Sequence, residues 1–154
     1  MSTTFSGTIT ASVIYRYANP EAEATAAESA TLQLASSITS GKAANQADIM
    51  YRKTVTVTTG SPNQNFTLRG VLTDAYANVL NFETVRAIQV RNKSITAGDA
   101  VWFGGLGVAS EFVAPFGGLA GGKVAIKAGG AVQLQAPRDG YPVEASADVL
   151  RLQY

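Results

Sequence analysis

Apolar and polar residues alternate with a period of two over most of this chain. In residues 7–17 one parity carries Ile9, Ala11, Val13, Tyr15 and Tyr17, and the other carries Thr8, Thr10, Ser12 and Arg16. Residues 54–58 repeat the pattern, with Val55 and Val57 on one side and threonines on the other. Such alternation suits a half-buried strand, and β-branched and aromatic residues fit its pleated surface. Further strands are expected at 31–38, 65–68, 84–91, 100–103, 123–127, 131–136 and 149–153. Turn residues punctuate them: Ser40-Gly41-Lys42, Gly60-Ser61-Pro62-Asn63, Ala97-Gly98-Asp99, Gly129-Gly130 and Arg138-Asp139-Gly140. The pattern predicts an all-β fold with little helix, a jelly-roll-like β-sandwich of about eight short strands. Parity assigns an inward set of Val13, Tyr15, Val55, Val57, Leu68, Ile88, Val90, Val124, Ile126, Val132 and Leu134.

Two segments break the alternation. At 19–29, Asn19 and Pro20 could open a helix with Glu21 and Glu23 in its first turn. The apolar residues that follow are nearly all alanine, so a helix there has little to bury, and an exposed connector is expected instead. At 72–78, Asp74 and Asn78 bracket a patch that suggests a single turn. A length of 154 residues fits one domain. The expected organisation is a single unit over 1–154, with a strand and connector at 1–29 and a sandwich body at 30–154.

Composition narrows the chemistry. The chain contains no histidine and no cysteine, so Ser-His-Asp and Cys-His machinery, the usual zinc sites and disulfides are excluded. Charged residues make up 15%, against roughly 25% in an average soluble domain. That leaves either a Thr/Ser/Ala-rich surface or a surface covered by other protein. Twelve basic and eleven acidic residues give a net charge of +1 with no basic run, which argues against nucleic acid as the main partner. No apolar stretch approaches the roughly 18 residues of a membrane-spanning helix, and no membrane partner is expected. Residues 1–5 lack the features of a secretory signal, so the chain is expected to stay in the cytosol or leave it by lysis.

The candidate motifs are weak. Gly117-Gly118-Leu119-Ala120-Gly121-Gly122-Lys123 fits the core of a phosphate-binding loop. Val124 stands where a magnesium-binding Ser or Thr is needed, and 123–127 alternates like a strand rather than a helix. No nucleotide or other cofactor is expected. Residues 102–122 hold seven of the fifteen glycines, together with Trp102, Phe103, Phe112 and Phe116. This stretch reads either as a contact loop with aromatic anchors or as a rim whose aromatics plug the core. The carboxylates Asp74, Glu83, Asp99, Glu111, Asp139, Glu144 and Asp148 are scattered, form no calcium loop and read as solvated turn acids. No catalytic or metal-binding residue is expected, and no enzyme.

Several runs carry a resemblance. Ser40-Gly41-Lys42-Ala43-Ala44-Asn45-Gln46-Ala47-Asp48 with Tyr51-Arg52-Lys53-Thr54 is one, and Leu72-Thr73-Asp74-Ala75-Tyr76 followed by residues 82–92 is another. Phe112-Val113-Ala114-Pro115-Phe116-Gly117, Gly129-Gly130, Ala136-Pro137, Tyr141-Pro142-Val143 and Asp148-Val149-Leu150-Arg151-Leu152 continue it. These resemble small β-sandwich structural proteins of tailed-bacteriophage virions, over about residues 30–153. The resemblance implies a virion component assembled in the host cytoplasm and no active site. The expected role is a capsid decoration or cement protein bridging subunits of the major capsid protein; a tail or baseplate subunit is the alternative. A carbohydrate-binding adhesin using Trp102, Tyr76 or Tyr141 as a platform is a reading from a different class. The expected partners are the major capsid protein and further copies of the chain, as a dimer or trimer. Phe5, Tyr15, Tyr17, Trp102, Phe103, Phe112 and Phe116 are the candidate contact residues. The strand within residues 3–17 is a ready template for pairing with another chain, although it could equally pair inside its own fold.

Overall fold

The computed structural model describes residues 6–19, 26–74, 76–105 and 107–154. The protein is all-β, and its only helical element among the described residues is the 3-10 turn Ala114–Phe116. The strands are β1 (Ser6–Asn19), β2 (Ala26–Ser40), β3 (Gln46–Ala47), β4 (Asn63–Thr67), β5 (Arg69–Thr73), β6 (Val79–Asn81) and β7 (Thr84–Val85). They continue with β8 (Ala87–Arg91), β9 (Ala100–Gly104), β10 (Lys123–Lys127), β11 (Ala131–Gln135), β12 (Tyr141–Pro142) and β13 (Val149–Gln153). They form one three-stranded sheet (β1-β2-β3), one four-stranded sheet (β10-β9-β13-β4) and three two-stranded pairs, β11-β8, β12-β7 and β5-β6.

β1 and β2 make one long antiparallel hairpin, in register from Ser6 opposite Thr39 to Asn19 opposite Ala26. Fourteen residues at about 3.4 Å each give it a reach of roughly 45 Å. Among the described residues β1 pairs with β2 alone, and β2 joins the body at its far end, where Thr39 and Ser40 pair with Gln46 and Ala47. The connector expected over 19–29 is therefore shorter. Ala26, Ala27, Glu28 and Ser29 belong to β2, because cross-strand pairing to β1 outweighs their weak strand propensity. Asn19 closes β1, and residues 20–25 lie outside the described residues.

Leu68, Leu72, Leu80, Val85, Phe112 and Val143 form a buried cluster, with Ile49, Tyr51, Phe66, Phe82, Ile88 and Leu150 packed against it. Tyr51 meets Phe66 edge-on, with ring centres 6.4 Å apart. Parity correctly placed Leu68 and Ile126 inside, whereas Ile88, Val90, Val132 and Leu134 are half-buried. Val124 departs from the expectation. It shares a face with Phe103, its cross-strand partner, yet lies exposed because β10 is the outer strand of its sheet. The side chains of Val13 and Tyr15 are not among those described.

Two further differences concern pairing. Residues 54–57 have the expected parity, with Val55 and Val57 half-buried and Thr54 and Thr56 exposed, but they join no sheet. Alternation reports which side faces the apolar interior; it does not supply a partner strand. Residues 72–78 do contain a turn, and it links β5 to β6 rather than forming a helical turn. Asp74 accepts from the backbone N–H of Tyr76 and of Asn78 at 2.8 and 2.9 Å, and from the Asn78 side-chain amide at 3.0 Å.

These bonds favour the ionised carboxylate, the Asn78 side chain most, so the Asp74 pKa lies below its ordinary value of 3.8. A depressed carboxyl pKa means that the turn's contribution is complete above pH 3.8 and is lost as the pH falls through the folded value. An NMR titration of the Asp74 carboxyl should show a midpoint below 3.8 that rises in Asn78→Ala but stays depressed, since the backbone N–H groups of residues 76 and 78 still donate.

Candidate functional site

The glycine-rich stretch is organised around a carboxylate rather than offered to a ligand. Glu111 is 2% exposed. One of its oxygens accepts from the Gly105 N–H at 3.0 Å, and the other from Gly107 and Gly121 at 2.9 and 2.7 Å. Backbone N–H groups converging in a glycine loop are a standard anion cradle. Here the anion is the protein's own side chain. The phosphate-loop pattern at 117–123 thus has a physical basis in loop geometry, but the Gly121 N–H is committed to Glu111, those of Gly117, Gly118, Leu119 and Gly122 donate to backbone carbonyls, and the following residues form β10.

Reading Glu111 as a solvated turn acid is corrected by its burial, and Asp148 is buried as well. The chain Ser110-Glu111-Phe112 runs beside Val149, exchanging backbone bonds of 2.9 Å in both directions, and this carries the carboxylate inward. Glutamate spacing gives no sign of that path. The density of glycines within ten residues of Glu111 is the one signal that could have found it.

The aromatic candidates divide sharply. Phe103 and Phe112 are 0% and 1% exposed, so neither ring has surface to offer a partner. They belong to the interior, because β9 and the 111–112 segment turn those positions inward. Phe116 is half-buried, 5.4 Å from the Phe103 ring. It closes over Gly104, where φ is +93° and a Cβ would strike the Gly122 carbonyl and the Phe116 ring. The rim-plugging reading therefore describes these three rings.

Trp102 points to the other side of β9 and is 37% exposed, with the Lys123 ammonium 4.7 Å from its ring centre. That cation covers part of the face a sugar would need. Tyr76 is exposed at the tip of the β5–β6 turn and Tyr141 is half-buried on β12, so the three proposed platform residues sit on separate elements. Tyr15 and Tyr17 occupy β1 opposite Ala30 and Glu28, and Phe5 lies outside the described residues.

The root of the hairpin is clamped to the body. Arg86 donates to the carbonyls of Arg138 at 2.7 Å, Ala43 at 3.2 Å and Lys42 at 3.3 Å, and the Asn45 N–H donates to Pro137 at 2.8 Å. Gly140 packs so tightly under this clamp that a Cβ would meet Thr84 and the Arg86 guanidinium. Among the described residues no three carboxylates gather into a metal-binding group. No helix among the described residues is long and apolar enough to cross a membrane. No family model, curated protein or solved structure matches the chain.

Proposed function

We propose that this chain is a bacteriophage virion structural protein, a decoration or cement protein bound to the head, with a jelly-roll-like body. The observation that carries the reading is the division of labour in the fold. A β body clamps the base of a hairpin whose outer strand pairs only with its neighbour. A protein that bridges subunits needs a fixed body and an element long enough to lie across a neighbour. The runs at 40–48, 82–92, 112–117 and 148–152, which resemble virion proteins, lie in the body, and the first of them is the clamped root. A chain with no histidine or cysteine and a net charge of +1 lets many copies crowd on one surface without repulsion.

The partners in this reading are the major capsid protein and further copies of the chain. The free edge of β1 supplies main-chain hydrogen bonds to a partner strand, and the exposed part of Trp102 contributes apolar contact. Mixing the purified protein with undecorated heads tests this directly: the protein is expected to co-sediment with heads and to saturate. Binding to a host glycan with no binding to heads would replace the reading with the adhesin.

A further inference from the structure

Residues 50–57 run in an extended path along a concavity of about 1630 Å³. Among the described residues, their backbone N–H and C=O groups enter no sheet and no backbone hydrogen bond. Across the same concavity, β8 pairs with β11 on one edge only. The walls between them include Val90, Val101, Leu152 and Gln133. The Gln133 side-chain nitrogen is buried with no hydrogen-bond partner among the described residues. Unpaired strand edges, an unsatisfied amide and an apolar floor together describe a sheet lacking one strand.

We propose that the missing strand is β1 of a second copy, its free edge pairing with residues 50–57 so that the hairpin of each subunit seats in the cleft of the next. Two observations select this occupant. β1 has one unpaired edge along its fourteen residues among the described strands, and Arg16 is its only charged residue, so it carries little charge into the cleft. Second, the cleft begins at the hairpin root, since Ile38, Lys42 and Gln46 line it, so an exchange of hairpins between neighbours is continuous with the fold.

This inference deepens the self-association part of the proposed function and rests on it. It is tested on the isolated protein without heads, so its failure leaves binding to the capsid protein standing. Because the chain has no cysteine, single cysteines report cleanly. Thr10→Cys and Ala11→Cys proteins, covering both parities of β1, are each mixed with Thr56→Cys protein under mild oxidation. A mixed disulfide between subunits is expected with one of the two.

Light scattering should show an oligomer, and Thr56→Pro, which removes a backbone N–H of the free edge at an exposed side chain, should weaken its association at least tenfold while leaving the fold intact. Hydrogen exchange should then show the remaining amides of 50–57 protected in the oligomer and open in the Thr56→Pro monomer. A wild-type monomer, an absence of mixed disulfide, or protection of 50–57 that persists in the monomer would each overturn the proposal.

Discussion

Glu111→Ala is expected to lower the thermal midpoint by about 10 °C, the largest loss from any single carboxylate in the chain. The substitution leaves the N–H groups of Gly105, Gly107 and Gly121 without their acceptor in a site that is almost closed to water. Orphaned buried donors cost about 1–3 kcal/mol each, and partial access of water to the loosened loop brings the sum to about 3–4 kcal/mol. At this chain length each kcal/mol is worth roughly 2–4 °C. Glu111→Gln should fall between, because one amide oxygen still accepts while its NH2 group faces a backbone donor. Glu144→Ala, at an exposed turn position, should stay within about 0.5 kcal/mol of the parent. Differential scanning calorimetry of the three variants separates a carboxylate that organises the loop from one that merely decorates a turn.

Phe103→Ala should be comparably severe, at about 3–5 kcal/mol. Its ring is fully enclosed, opposite Leu152 and Val124 on adjacent strands and tilted against Phe116. The substitution opens a cavity between the four-stranded sheet and the glycine loop and removes the aromatic contact with Phe116. Trp102→Ala, one residue earlier and on the opposite face of the same strand, should cost far less stability, since it is partly exposed and meets mainly the Lys123 ammonium. If Phe103 were a partner anchor, its substitution would spare the isolated protein and impair only binding. Chemical denaturation of the two variants distinguishes these outcomes.

The contrast between those neighbouring residues shows how far the sequence could be read. Period-two alternation located β1, β9, β10, β11 and β13 because each has enough residues for parity to show. It passed over β3, β6 and β12, which have two or three residues each and no room for a pattern, and over β5, where Gly70 and the adjacent Val71 and Leu72 break the alternation. Parity puts Phe103 and Trp102 on opposite faces of β9, yet both read as contact residues, because parity alone does not say which face is covered. That depends on how separate sheets stack, and composition does not encode it. Residues 54–57 show the complementary limit, since a strand-like pattern was legible while the partner strand was not.

Glu111 was hidden for a different reason. A carboxylate surrounded by glycines in sequence reads as a surface turn, and its burial follows from a backbone path that brings residues 105, 107 and 121 around it. The hairpin was half legible. Its strands were foreseen separately, at 7–17 and 31–38, while their pairing into one arm depended on the alanines and Glu28 between them joining β2.

The proposed place of the chain in a virion head is decided by quantitative mass spectrometry of purified particles, scaled to the major capsid protein. A head component is expected at a fixed simple ratio to that protein, the same in every preparation and in tailless heads. Absence of the chain from washed particles would overturn the proposal, and so would a trace amount that disappears with the tails.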